Sequence, residues 1–199
     1  SKIGAEHCKA CDGGKTSSLN AAKCDACDAG FASVEGSSTC ISCKKGTYSL
    51  EGQATCSTCP PGLYQGQPEK STCKACETGF YNDGDSDGDG DVDENDPGLA
   101  FCKQCPAGKK SSANGAKTCD MCEIRMFASA PATKECIQCG VGTTSSPNRE
   151  SCDSCPSGQY SGENEFGCKE CTIGRYSNGA AKSICDECLP GSFADKKIK

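Results

Sequence analysis

The chain has no tryptophan, one histidine, and only 21 Ile, Leu, Val and Phe residues among 199. A domain of that length normally buries about 70% of its unfolded surface. So few apolar side chains cannot fill such a core, which excludes a globular enzyme built around a single hydrophobic centre. No apolar run approaches the roughly 20 residues needed to cross a bilayer as a helix. One histidine leaves little capacity for general acid–base catalysis near neutral pH. Basic excess is missing too: the formal net charge is −6. Eight acidic residues fall between Asp83 and Asp96, a stretch with no Lys or Arg, and without them the balance becomes +2. The acidity is therefore local. Neither balance suits a nucleic-acid binder, which clusters positive charge.

What the chain has in abundance is cysteine, 22 residues, a fraction that marks a cross-linked scaffold. Every one belongs to a C-x-x-C pair. The pairs begin at Cys8, Cys24, Cys40, Cys56, Cys73, Cys102, Cys119, Cys136, Cys152, Cys168 and Cys185. Nine of the ten steps are 16 or 17 residues and the tenth is 29, because it carries the acidic stretch as an insertion. A fixed period of this kind is the mark of a tandem repeat. It divides the chain into five units over 1–76, the acidic insertion over 77–101 and six units over 102–199. The chain starts at Ser1 and ends a short way into a repeat, and is expected to be an internal piece of a longer protein.

Within each unit a second pattern recurs. Gly stands three residues after the second Cys in ten of eleven units, as at Gly14, Gly62 and Gly158; the exception is Arg125. Two residues further comes an aromatic in seven units: Tyr48, Tyr64, Tyr81, Phe127, Tyr160, Tyr176 and Phe193. A glycine at a fixed place predicts a positive φ in a type II turn, which Cys59-Pro60-Pro61-Gly62 suits. The Gly-x-Tyr-Ser segment after it reads as a strand. A second turn, as at Asn114-Gly115 and Asn178-Gly179, returns the chain to the next pair. The expected fold class is small disulfide-rich repeats, mostly loop with short antiparallel hairpins, stacked into an elongated rod. Each aromatic is expected over a disulfide, and the Arg125 unit is expected to have a rearranged turn. Ser-rich returns such as Thr143-Thr144-Ser145-Ser146 read as polar turns or as O-glycan carriers.

Three chemistries account for a C-x-x-C ladder. Disulfides within a pair close a tight ring, so the favoured bridges join the second Cys of one pair to the first of the next. These are Cys11–Cys24, Cys27–Cys40, Cys43–Cys56, Cys59–Cys73, Cys76–Cys102, Cys105–Cys119, Cys122–Cys136, Cys139–Cys152, Cys155–Cys168 and Cys171–Cys185, each worth roughly 3 kcal/mol. Cys8 and Cys188 are then left to partners outside the segment. A crossed scheme, first-to-first and second-to-second, stays open. Zinc is the second chemistry, because C-x2-C-x12-C-x2-C has four-thiolate spacing. Eleven equivalent pairs do not divide into tetrahedral sites. A thioredoxin-like redox role lacks any surrounding βαβ pattern.

The unit C-x-x-C-P-x-G-x-Y-S resembles the ephrin-receptor-like cysteine-rich repeat, related to EGF-like and tumour-necrosis-factor-receptor modules. Cys56 to Cys73 and Cys152 to Cys168 carry the resemblance best. It implies an extracellular or cell-surface array of disulfide-bonded units. Long runs of such units occur in large surface proteins of algae and other protists, including flagellar hairs (mastigonemes).

The insertion carries the sharpest motif. Asp85, Asp87, Asp89, Asp93 and Asp96 occupy positions 1, 3, 5, 9 and 12 of a calcium loop, Gly90 the sharp turn at position 6, and Asp91 supplies its carbonyl. Asp at position 12 and the absence of flanking amphipathic helices make it resemble a thrombospondin type 3 repeat rather than an EF-hand. Asp83 is the candidate for a second, overlapping site. Ca²⁺ is the expected cofactor, and the bland alternative is a solvated acidic linker. The functional expectation is a non-enzymatic extracellular structural protein: a disulfide-stapled, calcium-stiffened segment of a filament or surface appendage. Its expected partners are other copies or other filament proteins, with no nucleic acid, membrane span or small-molecule substrate. The alternative is a receptor or adhesion ectodomain that binds a protein ligand.

Overall fold

The fold is described from a computed structural model, which describes residues 7–85, 100–163 and 165–194. Among these residues there is no helix, and none therefore long and apolar enough to cross a membrane. The described residues form ten two-stranded sheets whose strands are two or three residues long. The chain is a tandem array of small disulfide-rich hairpins.

Each hairpin grows from the repeat glycine. Leu63 N–H donates to the Pro60 carbonyl at 3.0 Å across a turn whose third residue, Gly62, has φ +90°. That is the type II geometry, where only glycine avoids a Cβ penalty. The next two residues, Leu63–Tyr64, form the first strand. The partner strand, Lys74–Ala75, is the interior of the following C-x-x-C pair, in antiparallel register with Leu63 opposite Ala75. Cys76 N–H then closes the hairpin on the Gly62 carbonyl at 3.0 Å. The same arrangement recurs from Lys15–Thr16 with Asp25–Ala26 to Arg175–Tyr176 with Asp186–Glu187.

Bridges join the second cysteine of each pair to the first of the next, ten in all from Cys11–Cys24 to Cys171–Cys185. This is the uncrossed scheme. The Cα–Cα separations of 5.4–5.8 Å sit where cystine geometry is relaxed. Cys8 and Cys188 are free.

Sulfur makes the interior. Among the described residues, the buried apolar ones are eleven cysteines and two alanines, Ala32 and Ala128. Large aliphatics such as Ile41 and Ile137 stand on the outside of the C-x-x-C strands. The aromatics Tyr48, Tyr64, Tyr81, Phe127 and Tyr160 are half-buried, whereas Tyr176 and Phe193 are exposed.

Contacts divide the chain into two compact units. The first comprises 1–77, 81–103 and 114–118; the second comprises 78–80, 104–113 and 119–199. In the first, consecutive hairpins are laced by main-chain bonds from each repeat glycine to the residue three places beyond the next one. Gly14 donates to Ser33, Gly30 to Ser49, Gly46 to Gln65 and Gly62 to Asn82, at 2.6–2.8 Å. These acceptors are buried small polar residues, and their side chains are used as well: Ser33 Oγ donates to the Lys15 carbonyl and Ser49 Oγ to that of Phe31. Turns lie against the glycines from two repeats further on. A Cβ on Gly14 would stand 1.9 Å from the Gly52 oxygen, and one on Gly62 would stand 2.3 Å from that of Gly115.

The second unit repeats the lacing, with Gly79 donating to Ser111, Gly108 to Ala128, Gly142 to Ser161 and Gly158 to Ser177. Ser145 and Ser146 are buried here, and Thr143–Ser145 is a strand, so this Ser-rich return is a packed element with no free hydroxyl face at those two serines. Nor does the second turn near Asn178-Gly179 place its left-handed residue at the glycine. Ala181 takes it, with φ +59°.

Candidate functional site

The acidic insertion leaves and rejoins the fold at a braced base. Asn82 is fully buried. Its Nδ2 donates to the Leu63 carbonyl, its Oδ1 accepts from Gly84 N–H at 2.8 Å, and its backbone N–H donates to the Ala116 carbonyl at 3.0 Å. The Cys76–Cys102 bridge closes the loop, with a sequence separation of 26 against 13 or 14 elsewhere. Next to that bridge, Lys103 Nζ reaches back across the base. It lies 3.0 Å from Asp83 Oδ1, donates to Asp83 Oδ2 at 3.1 Å and donates to the Asp85 main-chain carbonyl at 2.9 Å.

Burial alone would lower the Lys103 ammonium. The hydrogen bond and charge of Asp83, helped by Asp85, more than offset it, and the group is held above the ordinary lysine value. Asp83 thus spends its charge on Lys103. Of the candidate calcium ligands, Asp83 and Asp85 fall within the described residues, while Asp87, Asp89, Asp91, Asp93 and Asp96 lie outside them. Among the described residues no group of three or more His, Cys, Asp or Glu side chains is gathered as a metal site.

A second irregular place is Arg125, in the second unit. The sequence suggested a rearranged turn there; the turn is in fact retained. Arg125 has φ +67°, and Met126 N–H donates to the Glu123 carbonyl at 2.9 Å, as Leu63 does to Pro60 and Gln159 to Pro156. A left-handed arginine is strained, and the structure around it supplies the compensation. The side chain is 5% exposed, and Nη1 donates to the carbonyls of Gly162, Glu163 and Glu165 at 2.7, 2.7 and 3.0 Å. Nη2 donates to the Cys139 carbonyl at 3.3 Å. The guanidinium thus stands where a turn from two repeats further on would otherwise press against a glycine. Its backbone N–H bonds the Ser145 hydroxyl at 3.0 Å instead of a main-chain carbonyl. Neighbouring Arg149 is also left-handed, at φ +61°, and donates from Nη1 to that same hydroxyl and to the Ser146 carbonyl. Position 125 was visible in the sequence as the break in the glycine series; Arg149 carried no signal.

Two overlapping stretches, residues 30–69 and 46–86, match the profile of the tyrosine-protein kinase ephrin type A/B receptor-like family. Together they span less than a third of the chain and lie within the regular repeats and the base of the insertion. No curated protein matches the chain. The family match and the ten evenly placed bridges describe a cysteine-rich tandem repeat of the kind that oxidising compartments allow.

Proposed function

We propose that this chain is a non-enzymatic extracellular structural module, a segment of a filament or surface appendage whose acidic insertion takes Ca²⁺. The observation that carries the reading is the lacing. Each of the ten hairpins is covalently closed, and eight of them are bonded through their repeat glycines to the hairpin that follows, from Gly14 to Gly158. Load applied along such a series passes through cystines and main-chain hydrogen bonds rather than through a soft apolar core. The cystines also require an oxidising setting, which is the basis for placing the module outside the cell.

The insertion suits a hard cation in its donors and in its frame. Asp85, Asp87, Asp89, Asp93 and Asp96 offer carboxylates and Asp91 a carbonyl, the oxygen-only set that Ca²⁺ accepts. Lys103 neutralises Asp83, so our ligand set begins at Asp85 and holds a single ion. Bound calcium would supply positive charge that relieves repulsion among the carboxylates and fixes the loop between its two anchored ends.

Small-angle scattering and calcium titration of the oxidised chain test both halves. The expected outcome is an elongated particle that stiffens in calcium relative to chelator, with binding in the range of about 0.1–1 mM typical of extracellular sites. Asp89→Asn should abolish the calcium response and leave the elongation. A compact particle refutes the structural reading; an elongated particle indifferent to calcium refutes only the metal.

A further inference from the structure

Arg125 lines a groove at the place where its repeat departs from the others. At Gly108 and Gly142 a Cβ would lie 2.1 Å from the carbonyls of Asn148 and Ala181, so each later turn is seated directly on the glycine. At position 125 the arginine side chain occupies that place, and its Nη1 holds the turn over Gly162–Glu165 by three carbonyls. Beside it runs an open groove of about 420 Å³ whose lining includes Glu123, Ile124, Arg125, Glu163, Glu165 and Phe166. A second stretch of about 480 Å³ shares Arg125 and Glu163 with it and continues to Val141.

The chemistry of the walls selects the occupant. Arg125 is the groove's buried cation, and its Nη donors are all directed at main-chain carbonyls. Glu165 is paired with Lys169. The side chains of Glu123 and Glu163 make no hydrogen bond or ion pair among the described residues, so two carboxylates and the one Arg125 cation line the groove with both carboxylates open to a direct partner. Between and beside them stand Phe166, 85% exposed, and Ile124, 51% exposed. An anion would meet carboxylates and carbonyl oxygens here, and a wholly apolar partner would bury the two charges without a counterion.

We infer that this groove docks a segment of another protein that carries a basic side chain next to an apolar one. The basic group faces Glu123 and Glu163, and the apolar group covers Phe166 and Ile124. The inference is independent of the calcium loop, because every residue it uses lies in the second unit.

The test is nuclear magnetic resonance of the oxidised, isotope-labelled chain with acetyl-Gly-Arg-Leu-Arg-Gly-amide as probe and its Asp-for-Arg counterpart as control. The expected result is shifts confined to amides near 123–126 and 162–167 with the arginine peptide alone. Glu123→Gln with Glu163→Gln should weaken binding about fivefold, the effect of losing two exposed ion pairs. Arg125→Gly should let the turn settle onto the backbone and abolish the shifts, while the amides of the other hairpins stay in place. Three outcomes overturn the inference: no shift with either peptide; shifts centred on the acidic insertion that survive both glutamine substitutions; or the same amides shifting with protein concentration alone, which would make a second copy the occupant.

Discussion

Replacing one repeat glycine by alanine separates two costs that coincide at the same residue. Gly62 has φ +90°, and a Cβ there would lie 2.3 Å from the Gly115 oxygen and 3.0 Å from its carbonyl carbon. Gly36 has φ +76° with nothing within 4 Å. Gly36→Ala therefore carries only the left-handed penalty, about 1 kcal/mol. The structure supports so low a figure, since Glu69 and Ala132 adopt φ +60° and +57° in second turns of other repeats. Gly62→Ala carries that penalty and must also push the Gly115 carbonyl outward by about 1 Å to reach ordinary contact. That shift breaks the 2.7 Å bond from Gly115 N–H to the Cys76 carbonyl and strains the 2.7 Å bond from Gly62 to Asn82. At about 1 kcal/mol for a bond lost and less for a bond strained, the total is about 2–3 kcal/mol. Amide hydrogen exchange on the oxidised protein reads the difference. With tenfold in rate for each 1.4 kcal/mol, Gly36→Ala should speed the Cys43 amide about fivefold and Gly62→Ala the Cys76 amide by roughly thirty- to a hundredfold. Equal acceleration in the two variants would refute the claim that the glycine is required for what lies against it rather than for its own backbone angle.

Two other perturbations bear on the base of the insertion. Because Lys103 is held above the ordinary lysine value, its ion pair contributes stability that is present below that ordinary value and lost as pH climbs through the raised one; its side-chain resonances should titrate above the ordinary lysine value, and Asp83→Asn should bring them down. Asn82→Ala removes the bonds to Leu63 and Gly84, leaves buried polar groups unpaired at a cost of about 2 kcal/mol, and should speed protease cleavage between Gly84 and Ala100 while all ten bridges persist by mass; cleavage at the parental rate would mean that the cystine alone holds the loop.

The turns and first strands were legible because they depend on neighbours in sequence: the Gly62 turn needs only Pro60 to Leu63. Cysteine spacing also made the closed hairpin legible, including its return to the next pair. The residues between two cysteines gave no sign that they form the partner strand. Lys74-Ala75 and Asp186-Glu187 have no strand-like composition, and they pair because the bridge brings them opposite Gly-x-x. The crowding at the repeat glycines could not be read either, since it comes from a turn about two periods away. The burial of Ser33 and Ser49 was not legible either, since it depends on hydroxyl bonds to the Lys15 and Phe31 carbonyls of the preceding hairpin. At the insertion, the donor order pointed to a cation from the sequence alone, whereas the counter-charge on Lys103 became apparent only in three dimensions.

An interior of sulfur also has a thermal consequence. Unfolding an ordinary domain raises its heat capacity by about 12–15 cal/mol/K per residue, because hydrocarbon becomes hydrated. Among the described residues the buried apolar ones are cysteines and two alanines, and most large aliphatics already face water in the folded chain. The increment should fall well below that range, which flattens the curve of stability against temperature. Cooling then removes little of the driving force, and warming erodes it slowly, so such a module would keep nearly the same stiffness from a cold habitat to a warm one.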